Sequence, residues 1–203
     1  MKKRVYVYID GFNLYHAIDA LRLPHLKWLD LWSLSEKLVR ESEQVSVVKY
    51  FSAYATWREH SYRKHERYVA ALEFSGVVPI MGRFKEKHMR CKACGHCYKS
   101  HEEKETDVNI GAHLVADALR DRFDRAMIIS ADTDLIAAVL LARSEATEKQ
   151  IDIVAPPNRM NRNSLARFEI AKGKMKLSLF PREITLPDGR KLIRPKDYDP
   201  PND

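Results

Sequence analysis

Hydrophobic and polar positions follow two alternating periods along the first three quarters of the chain. Residues 5–9 are a short β-branched and aromatic run, the pattern of a buried strand, and the run stops at the turn pair Asp10-Gly11. Asn13 is placed to cap a helix over residues 14–21. A less regular helical pattern covers residues 28–40, through Leu29, Leu31, Trp32, Leu34, Leu38 and Val39. Strand composition returns at residues 45–55, followed by a long basic helix over 58–74 that stops near Gly76, and by a strand over 77–84. After a cysteine-rich stretch come an amphipathic helix at 106–119, a buried strand at 126–130, a helix at 133–148 and a fifth strand at 151–155.

Alternating strands and helices predict an α/β domain with a mainly parallel sheet. Beyond Pro156-Pro157 the character changes. A short helix is expected over 163–170, a strand over 176–180, and a hairpin over 183–193 around Pro187-Asp188-Gly189. Residues 199–203 are expected to fray. The division expected is a domain at 1–157, with a cysteine-rich loop at about 85–103, and a C-terminal extension at 158–203 carrying the β-hairpin.

Composition narrows the class. The 203 residues are 45% hydrophobic and 31% charged, a profile that builds a packed core. No run approaches the roughly 20 apolar residues that span a bilayer, and the opening segment lacks a signal-peptide apolar stretch. The three cysteines all fall between Cys91 and Cys97 and cannot complete a disulfide framework, so a reduced, cytoplasmic setting is expected. The net charge of +7 is unevenly placed: residues 159–196 hold eleven Lys or Arg against three acids, so the rest of the chain sits near −1. Such a segment can neutralise phosphates without reading sequence. The helix starting at Arg58 adds Arg63, Lys64 and Arg67 among Trp57, Tyr62 and Tyr68, and aromatics beside cations stack on single-stranded bases. Solvated surface and ordinary core packing are the competing explanations for both groups.

Four aspartates give the charge a chemistry. Asp10 ends the first strand, Asp132 and Asp134 follow the fourth, and Asp107 starts the helix leading into that fourth strand. In a parallel sheet these positions share the rim outside the strand carboxyl ends, where ligands bind. Crowded carboxylates repel unless a hard cation such as Mg²⁺ or Mn²⁺ neutralises them, and such a cation suits phosphodiester hydrolysis by water. Turn formation by Asp10 and capping by Asp132 and Asp134 are the alternatives.

Three stretches, residues 8–14 (YIDGFNL), 103–109 (EKETDVN) and 129–135 (ISADTDL), closely resemble the signature motifs of the NYN domain family, of the PIN-like nuclease superfamily, in its LabA-like branch. The resemblance covers about residues 4–157. It implies a PIN-like, Rossmannoid three-layer sandwich with about five mainly parallel strands. It also implies a metal-dependent ribonuclease in which Asp10, Asp107, Asp132 and Asp134 hold Mg²⁺ or Mn²⁺. By the same resemblance Asn13 holds Asp10 or the substrate, Ser130 and Thr133 orient the acidic loop, and Lys104 touches a phosphate or balances the carboxylates. Single-stranded RNA is the implied partner and a homodimer the implied assembly. Ala131 stands where Gly or Asn is usual, and His113 where many relatives carry aspartate. Six helical residues turn by about 240°, so His113 is read as a packing histidine, with weak ligand or proton donor as alternatives. Asp117 is read as a solvated or capping charge.

The cysteine stretch offers Cys91, Cys94, Cys97 and His101 at a spacing that suits structural Zn²⁺, with His88 and His96 as competing donors and three free thiols as the alternative. Neither a Gly-rich phosphate loop nor a nucleophile elbow is present. The functions weighed are thus a metal-dependent endoribonuclease, a non-catalytic RNA-binding regulator on the same fold, and a metal-dependent phosphatase-like enzyme.

Overall fold

The computed structural model describes residues 1–163 and 165–200. The segment 199–203, expected to fray, lies partly outside these. The chain runs β1 (Lys3–Asp10), α1 (Gly11–Ala20), α2 (Leu31–Leu38), β2 (Glu43–Ala53), α3 (Glu59–Phe74), β3 (Val78–Arg90), β4 (Cys97–Lys104), α4 (Thr106–Leu119), β5 (Arg125–Ile129), α5 (Ile136–Glu145), β6 (Gln150–Ala155), β7 (Ala166–Glu169), α6 (Lys172–Lys176), β8 (Glu183–Thr185) and β9 (Lys191–Ile193). Seven strands form one sheet in the order β4-β3-β2-β1-β5-β6-β7. Every pairing is parallel except that of β3 with β4. A separate antiparallel pair, β8 with β9, forms the C-terminal hairpin.

β1 is central, pairing with β2 on one side and β5 on the other. Its period of two splits the interior: Val5, Val7 and Ile9 join one apolar cluster and Tyr8 joins the other. The first cluster takes Leu14 and Ile18 of α1, Leu31, Leu34 and Leu38 of α2, and Val69 and Leu72 of α3. The second takes Ile110 and Leu114 of α4 and Val139 and Ala142 of α5. The result is the expected helix–sheet–helix sandwich, with seven strands rather than five.

The two additional strands have different origins. The cysteine-rich stretch is an antiparallel ribbon: residues 83–90 of β3 pair with β4, and only residues 91–96 turn. Its side chains are mostly polar, with Phe84, Met89 and Tyr98 as isolated exceptions, and give no alternating hydrophobic pattern. Cross-strand ion pairs such as Lys87–Glu102 (2.9 Å) and Lys99–Glu86 (3.0 Å) line it instead. The second addition, β7, replaces the helix expected over 163–170. It extends the sheet by pairing with β6 at the edge. The strand expected at 176–180 is also corrected: α6 ends at Lys176, and Leu179 makes a single bridge to Leu29.

The basic C-terminal segment is knitted into the body. Ile170, Met175, Phe180 and Ile184 belong to the first apolar cluster, and the Phe180 ring meets buried Trp28 at 5.7 Å. These few apolar residues anchor the segment; most of its cations remain outside, but Arg194 is buried, its Nε donating to Asp199 at 2.8 Å.

The helix expected from Asn13 starts earlier. Asp10 ends β1 and caps α1, its carboxylate accepting the Asn13 N–H at 3.0 Å. Gly11 makes this abrupt change possible. A Cβ there would lie 2.7 Å from both the Phe51 carbonyl and the Tyr50 ring. Gly11→Ala is therefore expected to cost about 1–3 kcal/mol. A chemical-denaturation midpoint unchanged from the parent would contradict this close approach.

Candidate active site

The order of strands reverses at β1, and ligands of open α/β sheets bind at such a switch point, outside the strand carboxyl ends. Asp10 stands at the end of β1 and the 130–134 loop at the end of β5, on either side of that crevice. Asp107, in the first turn of α4, faces the same space. A cavity of about 650 Å³ results, lined by Asp10, Asn13, Asp107, Asp132, Thr133, Arg159 and Arg162 among others.

Hydrogen bonds tie the two rims together. Ser130 Oγ donates to Asp10 Oδ2 at 2.9 Å and accepts the Asp132 N–H at 3.0 Å. Asn13 Oδ1 accepts the Ala131 N–H at 3.0 Å, joining α1 to the loop after β5. Asp132 Oδ1 accepts the Asp134 N–H at 2.9 Å, so one Asp132 oxygen shapes its own turn. Buried Asn163 donates Nδ2 to the Asp132 carbonyl at 2.8 Å and pins the loop from the far side.

The carboxylates feel one another. Burial pushes Asp10 up to about 6, against hydrogen bonds from Asn13 and Ser130, and the charges of Asp107 and Asp132 add to the rise. Asp107 is likewise raised, by burial first and then by Asp132, Glu103 and Asp134. Among the described residues no three His, Cys, Asp or Glu side chains form a ready-made metal cage. The oxygen-only donor set nevertheless fits Mg²⁺ or Mn²⁺, since Mg²⁺ keeps several waters and binds through one or two carboxylates plus substrate phosphate.

The other expected residues separate into those at the crevice and those outside it. Thr133 lines the cavity, and Asp134 lies beside it, exposed. Lys104 is not among the lining residues and pairs with Glu102 at 2.8 Å. Arg58 and Lys64 line a neighbouring cavity, where Lys64 is held by Asp197 at 2.8 Å. His113 lies off the crevice, with Nδ1 3.3 Å from Lys49 Nζ and its ring against Phe51. Asp117 is not a solvated charge: it is buried, accepting from Tyr8 (2.7 Å), Arg122 (3.0 Å) and Lys49.

Cys91, Cys94 and Cys97 share the tip of the β3–β4 ribbon, where the Gly95 N–H meets the Cys91 carbonyl at 2.9 Å. N–H groups of Cys94 and Ala93 directed at the Cys91 sulfur lower its pKa. His101 does not join them. It lies four residues along β4 from Cys97, roughly 13 Å at strand rise, and its ring stacks on Trp57 at 3.7 Å near the foot of the ribbon.

Glu103, Asn163, Arg159 and Arg162 were not singled out by the sequence. Glu103 sits inside a signature stretch, yet its carboxylate accepts from the Thr106 N–H (3.1 Å) and hydroxyl, capping α4 in place of Glu105, which has a φ of 80°. Arg159 and Arg162 lay within the basic segment without distinction from its other cations. Asn163 offered no signal.

The architecture is thus an α/β fold whose mainly parallel sheet brings aspartates to its switch point beside two guanidiniums. Residues 4–169 match the NYN domain, and the chain belongs to that family, a PIN-like nuclease family. The match runs through β7, past the boundary expected at 157. The chain is also 27% identical, over 239 aligned positions covering 96% of it and 75% of the relative, to 6-hydroxy-3-succinoylpyridine 3-monooxygenase HspA of Pseudomonas putida. In fold it resembles a crystal structure of a protein of unknown function from Vibrio parahaemolyticus (TM-score 0.57, 16% identity, 88% of this chain and 97% of that one).

Proposed function

We propose that the protein is a Mg²⁺- or Mn²⁺-dependent endoribonuclease acting on single-stranded RNA. The observation that carries this reading is the convergence of Asp10, Asp107 and Asp132 in one cavity with Arg159 and Arg162. A divalent ion bound by these carboxylates would supply a nucleophilic water and offset charge developing on the phosphate. The chain's own residues do the rest. Ser130, Asn13 and Asn163 hold the carboxylate-bearing loops at fixed separation. The Arg159 and Arg162 guanidiniums, which have no ion pair among the described residues, take the phosphate oxygens.

Labelled single- and double-stranded RNA and DNA incubated with Mn²⁺ test this reading. Internal cuts in single-stranded RNA are expected, with the duplexes spared. Intact single-stranded RNA would refute it.

One observation favours a second reading, enzymatic work on a small heteroaromatic ring: the similarity to the P. putida monooxygenase runs along nearly the whole chain. The absence of a dinucleotide-type Gly-rich loop weighs against nucleotide-cofactor chemistry.

The ribbon tip is proposed to bind structural Zn²⁺ through Cys91, Cys94 and Cys97, whose thiols would have to draw together around the ion, with His96 of the same turn as a further donor. About one zinc per chain is expected in protein purified without added metal, falling to none in Cys94→Ser. A zinc-free wild type with three titratable thiols would contradict this.

A further inference from the structure

A second cavity, of about 560 Å³, opens beside the acidic one and shares Phe12, His16 and Glu103 with it. Its volume falls within the usual range for small-ligand sites. Unlike its neighbour it is aromatic. Trp57 stands at the rim, 39% exposed, with one face stacked on His101 and its edge against Phe84 at 4.6 Å. Inside lie buried Tyr50, whose hydroxyl is 3.2 Å from His65 Nε2, and Ser52. Burial holds the His65 imidazole down at about 4, so the floor is neutral at physiological pH.

The charged groups lining it are Glu103, on the side shared with the acidic cavity, and the cations Lys27, Arg58 and Lys64. Arg58 is exposed and forms no ion pair among the described residues, whereas Lys27 and Lys64 are committed to Asp19 and Asp197. Aromatic walls, a neutral hydrogen-bonding floor and one free cation at the rim fit a flat heterocycle that carries an anion. Continuity with the acidic cavity makes that anion part of the chain being cut.

We propose that this cavity is a nucleobase subsite, taking one unstacked base of the RNA next to the scissile phosphate, with Trp57 as its stacking platform and Arg58 on the adjoining phosphate. The inference rests on the ribonuclease reading for its substrate. It accounts for single-strand selectivity, because a base inside a duplex must first be flipped out to enter.

A free heteroaromatic acid presents the same chemistry, and calorimetric titration separates the two sources. AMP, UMP, nicotinate and inorganic phosphate are titrated into the full chain in EDTA. A nucleoside monophosphate is expected to bind at least tenfold tighter than nicotinate or phosphate. Trp57→Ala is expected to weaken nucleotide binding at least about tenfold, with Trp57→Phe recovering most of it. Nicotinate binding as tightly as nucleotide, no nucleotide binding, or nucleotide binding indifferent to Trp57→Ala would each overturn the subsite. The two readings fail separately: nucleotide binding without RNA cleavage refutes the ribonuclease, and cleavage with no Trp57 dependence of binding refutes the subsite.

Discussion

Asp10→Asn is expected to make a protein that is more stable and inactive. Burial raises the Asp10 pKa to about 6 from an unfolded value near 3.8, so at pH 7 the folded state carries a charge it disfavours. A raised carboxylate pKa destabilises the fold above that pKa, and the penalty fades as pH falls through 6 towards 3.8. In metal-free protein the asparagine variant should therefore gain about 2–3 kcal/mol over wild type at pH 7. The gain should shrink by about 2 kcal/mol by pH 4. Denaturant unfolding in EDTA at both pH values measures this. A variant equal to or weaker than wild type at pH 7 would show that Asp10 is not strained by burial and by Asp107 and Asp132. Cleavage should fall at least about 10³-fold if the carboxylate binds the catalytic ion, by analogy with removing one electrostatic group at a reaction centre. Greater stability with lost activity would mark a site under electrostatic load at rest.

The opposite sign is expected for Arg125→Met. Arg125 Nε donates to Asp152 Oδ2 at 2.7 Å and Nη1 to Glu43 Oε2 at 2.8 Å, with all three side chains at most 6% exposed. Arg167 reaches Asp152 from the surface at 2.8 Å. This network joins β5 to β6 and to the start of β2, at the end of the sheet opposite the aspartates. Removing its cation leaves Glu43 and Asp152 buried, a loss of about 3–5 kcal/mol. For a chain of this size the melting temperature should fall by roughly 10 °C. Adding Glu43→Gln should recover part of the loss, whereas Arg167→Met, at the exposed edge, should cost less than about 1 kcal/mol. Loss of under about 1 kcal/mol in Arg125→Met would mean that solvent or relaxation compensates the buried acids.

Legibility in the sequence followed burial. The run at residues 5–9 is buried on both faces, and the helix expected over 106–119 coincides with α4. The aspartates were legible for the same reason, since polar residues that interrupt such runs stand out. Asp117 was misread because burial is decided by Lys49 on β2 and Tyr8 on β1, distant in sequence. The ribbon beyond residue 84 was hidden because it is mostly polar with no apolar alternation, and β7 because four residues pairing with one neighbour leave no periodicity. The cations of 159–196 read as one basic surface. Only the fold distinguishes Arg159 and Arg162, which line the acidic cavity, from the anchoring role of Met175, Phe180 and Ile184 nearby.

The most direct test of the account compares wild type with Asp132→Asn on end-labelled single-stranded RNA in Mn²⁺, with an EDTA arm for each. Wild type should cut the RNA internally in Mn²⁺ and not in EDTA. Asp132→Asn should leave it intact while melting no lower than wild type. Equal cleavage by the variant, or cleavage that persists in EDTA, would contradict a metal-dependent site built on these aspartates.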